Sequence, residues 1–322
     1  MQQHARIAVL GAGQFGTLHA RTLAGLPEAE LVAIGDAVPQ RAQTLATELG
    51  VKSTFTDPKE FLKSTFLDGI VIATRTDTHV TLAQVALDAG LAVLIEKPVA
   101  EHSKDISQLL QHPNAHRAMA GHICLFHSLI GPLLQRVQKE NFRTAHLVRH
   151  RPSWMCERFP EEHPIRMTMV HDLYVLAQMV QGEEPVQMEA RQAKNAKGQI
   201  DCSWATLRWR DGRVATLQSH WLVPPGGPED GWDRTEIFGN QYHAVVDTNP
   251  APLVWTGEKV DWPQALEIGE IAGRPVGMLA EELRSFIALC QGQSAPSGCR
   301  LEDALQLQQW METLLASAAG RE

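Results

Sequence analysis

The sequence predicts an α/β chain whose N-terminal part is a doubly wound parallel sheet and whose C-terminal part is an α+β domain with an open, mostly antiparallel sheet. Three observations predict it. Short apolar runs alternate with amphipathic stretches up to residue 121, a glycine-rich turn follows the first run, and later turns are Asp-Gly and Gly-Asn pairs between β-rich segments. Runs that are apolar throughout fit strands buried on both faces, the usual state of a parallel sheet covered by helices. Two-residue turns instead join antiparallel neighbours.

In order along the first part, strands are expected at 6–10, 30–35, 52–55, 69–73, 92–95 and 117–120. Asp57-Pro58 reads as an N-cap with proline at the first helical position, and Gly50 and Gly90 stand where helix C-caps belong. The second part opens with helical patterns at 129–140 and 165–181. Strands at 199–209 and 213–222 flank Asp211-Gly212, and strands at 235–238 and 242–246 flank Gly239-Asn240. A Pro/Gly-rich loop covers 224–233, and helices at 276–291 and 301–318 close the fold. The domains expected are 1–121 for a dinucleotide and 122–322 for substrate binding and oligomerisation.

Composition narrows the function. A net charge of −8 disfavours nucleic acid and anionic membranes as partners. There is no apolar run of membrane-spanning length and no basic, then apolar, leader after Met1, so a cytoplasmic location is expected. Five cysteines without a CxxC pair read as reduced packing residues. His146 and His150 fall on a strand and His112 and His116 bracket Pro113, so no metal site is expected.

Gly11-Ala12-Gly13-Gln14-Phe15-Gly16 fits GxGxxG directly after the first strand and opens a helix. Its glycines permit a tight turn, close approach of a pyrophosphate and close helix–strand packing, while the helix N-terminus offers N–H groups to phosphate. Asp36 ends the second strand, where a carboxylate meets the adenosine ribose hydroxyls and repels a 2′-phosphate. NAD is therefore expected over NADP. Arg41 is a cation nearby that could favour the phosphate, but a solvated helix position is the preferred reading.

Further residues carry a resemblance. Gly69-Ile70-Val71-Ile72-Ala73-Thr74, His79, Ala86-Leu87-Asp88-Ala89-Gly90 and Glu96-Lys97-Pro98 follow one another in the order and spacing of the Gfo/Idh/MocA oxidoreductases. His171-Asp172-Leu173 resembles that family's catalytic helix, 234–247 its strand–turn–strand, and 282–304 its closing helices. The resemblance implies a Rossmann domain followed by an α/β domain, a sugar, polyol or nucleotide-sugar substrate held over the nicotinamide, and a homodimer or homotetramer. Two positions depart from the family pattern: Arg75 stands where proline is usual, and Met167 where an aspartate precedes the histidine by four residues.

The resemblance also implies roles. Oxidising a secondary alcohol requires a group to take the hydroxyl proton, and histidine, with an ordinary pKa of about 6.5, suits that task. His171 is the expected base and Lys97 the cation that steadies the developing negative charge on oxygen, with the reverse assignment open. Thr74, Arg75, His79 and Glu96 are expected at the cofactor's edge, His79 having a structural reading of equal weight. Arg149, Arg151, Trp154 and Arg158, with Met167, are expected around substrate, where arginines and an aromatic could hold a pyrophosphate and stack a base. Against this stands ordinary surface charge. A sugar or nucleotide-sugar dehydrogenase is the leading expectation, with a UDP-N-acetylglucosamine 3-dehydrogenase as one candidate. Inositol or polyol oxidation, or a non-catalytic NAD-binding regulator, is the alternative.

Overall fold

In the first half of the chain, six short strands alternate with helices. They are β1 (Ala5–Leu10), β2 (Ala29–Gly35), β3 (Ser53–Phe55), β4 (Gly69–Ile72), β5 (Ala92–Glu96) and β6 (Ala118–Gly121), with α1 (Gln14–Gly25), α2 (Pro39–Leu49), α3 (Pro58–Ser64), α4 (Thr76–Asp88) and α5 (Ser103–Leu109) between them. The computed structural model from which these elements are taken describes residues 4–64, 66–227, 231–247, 254–255, 260–261 and 268–320. All six strands are parallel, in the order β3-β2-β1-β4-β5-β6. The order reverses between β1 and β4, the switch point at which doubly wound sheets bind ligands.

The expected strand and cap chemistry holds. Every residue of β4 and β5 is buried, as a sheet covered on both faces requires. Asp57 accepts the Lys59 N–H at 2.8 Å, and Gly50, at φ +69°, ends α2 in the left-handed conformation.

By contacts the chain forms two units: the described parts of Met1–Phe126 with Leu266–Gln308, and those of His127–Ala265 with Gln309–Glu322. The expected division at 121/122 thus differs in two ways: the boundary falls after Phe126, and one later segment returns to the first unit. It contains α9 (Met278–Cys290) and the start of α10 (Leu301–Ala319). The reason is packing: α9 lies beside α1 and β5, and a Cβ added to Gly69 would come 2.8 Å from Phe286 Cζ. Apolar periodicity shows that such a helix has a buried face, without showing which sheet covers it.

The second unit holds α6 (Ile130–Glu140), β7 (Thr144–Pro152), α7 (Met155–Arg158), α8 (Val170–Met179), β8 (Gln187–Lys194), β9 (Ile200–Arg208), β10 (Val214–Val223), β11 (Trp232–Phe238) and β12 (His243–Asp247). Its sheet runs β12-β11-β7-β10-β9-β8 and is antiparallel except for the parallel β7–β10 pair. Both expected hairpins form. Residues 228–230 of the Pro/Gly-rich loop lie outside the described residues. The single helix expected over 165–181 is instead a π-helical turn, Ile165–Met169, leading into α8, with the Val170 N–H reaching back to Ile165 O. β7 carries the strand expected at His146 and His150, with bounds the sequence leaves open because arginine and histidine interrupt its alternation; β8 escapes the pattern because an exposed, polar edge strand owes its form to pairing with β9.

In the first unit, Ala120 N–H donates to Cys299 O at 2.7 Å, and His122 Nδ1 lies 2.6 Å from Gly298 O. Burial lowers the His122 pKa from 6.5 to about 4, so the ring is neutral in the fold and donates to that carbonyl. An unfolded chain takes up the proton first, so this contribution to stability is complete above about pH 6.5 and lost as pH falls toward 4. The expected loss is about 3 kcal/mol, read from urea unfolding across that range. His122→Gln should flatten the slope by that share.

Candidate active site

The glycine-rich turn is shaped by contacts no larger residue could make. Gly11 adopts φ +103°, and a Cβ there would collide with Ala73 O. A Cβ on Gly16 would run into Gly11 O, which explains how α1 packs so closely on the turn. Gly13 differs: no atom lies within 4 Å of a Cβ placed on it. It caps α1 without a side-chain bond, and the first turn carries no acidic residue. An uncapped helix N-terminus with open space before it fits a diphosphate. Gln14 is exposed and Phe15 half-buried beside that turn.

Asp36 is buried and accepts two backbone N–H groups, Ala12 at 2.7 Å and Val38 at 2.8 Å. It thereby ties the glycine turn to the end of β2, where the ribose carboxylate was expected. Arg41 is exposed on α2, as its solvated reading has it. These residues fit a dinucleotide.

The far side of the turn is set by Glu96 and His79. Glu96 Oε1 meets His19 Nε2 at 2.8 Å, and Oε2 accepts the Lys97 N–H at 3.0 Å. Burial pushes the Glu96 carboxyl up, but the His19 bond with the charges of His19 and Lys97 outweighs it and holds the pKa below the ordinary value. Lys97 is half-buried, its Nζ 5.9 Å from the centre of the Phe15 ring. His79 is buried, with Nδ1 3.0 Å from Pro98 O and Nε2 3.1 Å from Thr74 O. It is a strut between two loops, which favours its structural reading. Thr74 Oγ1 lies 2.8 Å from Thr78 Oγ1, and Arg75 is exposed and paired with Asp77.

His19 and Glu282 escaped the sequence reading. Glu282, on α9, is fully buried with neither oxygen hydrogen-bonded; burial and then the Glu96 charge raise its pKa well above the usual range. The donor atoms of His19, Glu96 and Glu282 lie within 4.8 Å of one another, a spacing a metal could bridge. Of these three side chains, His19 and Glu96 are bonded to one another, and Glu282 is buried beside them. His19 follows Gly16 by three residues, the signal that could have found it; Glu282 has no local signal.

In the second unit, α8 is pinned to the sheet by buried polar contacts. Thr168 Oγ1 donates to Pro164 O and lies 2.6 Å from Ser219 Oγ, while Ser219 Oγ donates to Arg149 O at 2.9 Å. Arg149 gives Nε and Nη2 to Asp172 Oδ1, at 3.2 and 3.0 Å, and Nη1 to Asp233 Oδ2 at 2.6 Å. Arg151 grips both oxygens of Asp233. Two guanidinium groups and two carboxylates make a quartet without net charge. Burial raises the Asp172 pKa, its Oδ2 lacking a partner, whereas Arg149 and Arg151 overcome burial and lower that of Asp233, both of whose oxygens are bonded.

This arrangement alters the substrate expectation. Arg149 is 9% exposed and serves two aspartates, which leaves its expected phosphate contact, and that of Arg151, without support. The exposed Arg158 lies over the Trp154 ring, 5.7 Å from its centre, and Trp154 is 44% exposed. His171 sits in the first turn of α8 with Nδ1 2.8 Å from Tyr174 Oη. Met167, in the π-helical turn, packs partly buried against Met155, Cys156 and Trp221.

Comparison with known proteins bears on the segment that carries the glycine turn. Residues 5–121 match the model described as an oxidoreductase family with an NAD-binding Rossmann fold. That segment belongs to the family, the Gfo/Idh/MocA oxidoreductases. With it, the chain is an NAD-binding oxidoreductase. It is 27% identical over 317 residues to an inositol 2-dehydrogenase of Rhizobium meliloti (strain 1021), covering 91% of each chain. It is 29% identical over 247 residues to a UDP-N-acetylglucosamine 3-dehydrogenase of Acidithiobacillus ferrooxidans, covering 76% of this chain and 74% of the other. The crystal structure of scyllo-inositol dehydrogenase from Lactobacillus casei with bound NAD(H) and scyllo-inositol superposes with a TM-score of 0.84 at 20% identity, covering 99% and 98%, which establishes a shared fold.

Two variants probe the site. Gly13→Ala should leave the thermal midpoint unchanged yet weaken NAD binding about 5- to 150-fold, the effect of about 1–3 kcal/mol of overpacking. Isothermal titration reads the affinity. Arg149→Met strands the buried Asp172 carboxylate, leaves Asp233 to Arg151 alone, and should cost about 3–5 kcal/mol in denaturant unfolding. Near-wild-type stability with lost affinity for a UDP-sugar would instead restore the phosphate role.

Proposed function

We propose that this protein is an NAD-dependent dehydrogenase that oxidises a secondary hydroxyl of a cyclic polyol or unphosphorylated sugar. One observation carries the reading: the Lys97 ammonium stands at the carboxyl end of β5, beside Phe15 of the glycine turn, at the edge of the sheet where a dinucleotide fits. When bound, NAD supplies the hydride acceptor at nicotinamide C4. The chain supplies the rest. Lys97 steadies negative charge on the substrate oxygen, Glu96 holds the Lys97 backbone, and His171 takes the hydroxyl proton. Asp36 favours NAD over NADP.

The polyol preference follows from the Arg149–Asp172–Asp233–Arg151 quartet, which occupies the cations a pyrophosphate would need, and from the inositol 2-dehydrogenase relative. The nucleotide-sugar reading keeps one observation of its own, the exposed Trp154 with Arg158 over its ring, a platform on which a base could stack. Association into a homodimer or homotetramer is supported by Trp204, Trp232 and Phe238, which the second unit's sheet leaves exposed. A cytoplasmic location suits the five free cysteines. Among the described residues no helix is long and apolar enough to cross a membrane.

NADH formation across inositols, free sugars and UDP-sugars tests the proposal. Turnover is expected with an inositol or sugar, and Lys97→Met and His171→Ala should each lower kcat about 10²–10⁴-fold while NAD affinity holds. Turnover confined to UDP-sugars favours the second reading. NAD binding without turnover on any of them makes the chain a regulator.

A further inference from the structure

A histidine can act as base only through a nitrogen that carries no proton. In neutral imidazole one nitrogen is N–H and the other is not, and the partner of the first decides which. For His171 that partner is visible. Tyr174, one turn further along α8 and 2% exposed, places Oη 2.8 Å from His171 Nδ1, with the two rings edge to face at 76°. The i,i+3 spacing on a helix makes the contact local, and the buried phenol ring cannot swing away. One turn earlier stands Met167, whose thioether is only a weak acceptor.

The hydroxyl could donate to Nδ1 or accept from it. Were it to donate, Nδ1 would lose its lone pair to the bond and Nε2 would carry the proton, leaving no basic nitrogen. Acceptance from Nδ1–H leaves Nε2 without a proton. We propose that Tyr174 is a positioning residue that accepts the His171 Nδ1–H and so reserves Nε2 as the proton-accepting atom. This rests on the reading of His171 as the base. In the oxidation the hydroxyl proton passes to Nε2 as hydride leaves for NAD, and the resulting imidazolium keeps its Nδ1–H bond to Tyr174.

Two-bond ¹H–¹⁵N correlations on ¹⁵N-histidine protein test the hold on the ring without reference to turnover, the His171 signals being identified as those missing from His171→Ala. Wild-type protein should show the Nδ1–H tautomer; a dominant Nε2–H form overturns the proposal. Tyr174→Phe keeps the ring and removes the oxygen. It should populate Nε2–H and lower kcat roughly 10–100-fold, less than the about 10⁴-fold lost when an aspartate orienting a catalytic histidine is replaced. NAD affinity and thermal midpoint should stay near wild type. Wild-type kcat with an unchanged tautomer in Tyr174→Phe overturns it. Turnover surviving in His171→Ala overturns the base reading instead, and the tautomer result still decides what Tyr174 does.

Discussion

The Glu96 carboxylate is the constraint on which the first unit's site depends. It is buried at the end of β5, and a buried charge persists only where hydrogen bonds and opposite charge replace water. His19 from α1 provides one bond and the Lys97 N–H the other, so a single side chain joins the helix behind the glycine turn to the residue bearing the ammonium. His79 adds to this with a neutral ring, buried between the carbonyls of Thr74 and Pro98 and able to donate its one N–H to either. Lys97 is therefore presented by a backbone fixed from two directions, and preorganisation of that kind lets a cation stabilise charge without rearranging.

The second unit solves a similar problem with a closed set of charges. Arg149 and Arg151 lie two apart on β7, and Asp233 pairs in register with Arg149 across the β7–β11 ladder. Asp172 reaches the same guanidinium from α8, one residue after His171. Together with the Thr168–Ser219 contact this fixes the start of α8 on the sheet, so the imidazole's position follows from charge pairing rather than from loop geometry.

Much of the first unit was legible because its signals are local. Strand runs, Gly50, Asp57 and the glycine turn each specify a backbone shape over a few residues, and the structure adopts those shapes. What was not legible depends on pairing between distant segments. The arginines around Trp154 read as a group of cations because a sequence shows charges without their partners; Asp233 reaches Arg149 from 84 positions away. Glu282 reads as one more polar residue in an amphipathic helix, and only the packing of α9 shows it to be buried. The π-helical turn before α8 was hidden too, since one extra residue in a helical turn scarcely disturbs apolar periodicity.

The double hold of Asp36 on Ala12 and Val38 has an implication for how coenzyme choice could drift over evolutionary time. The acid that screens the ribose is also a brace for the phosphate turn. Replacing it to admit a third phosphate would simultaneously release two main-chain donors and loosen the loop that must grip the pyrophosphate. Redox partner and loop rigidity are thus inherited as one trait, and a lineage switching between them would have to rebuild the brace before it could change the acid.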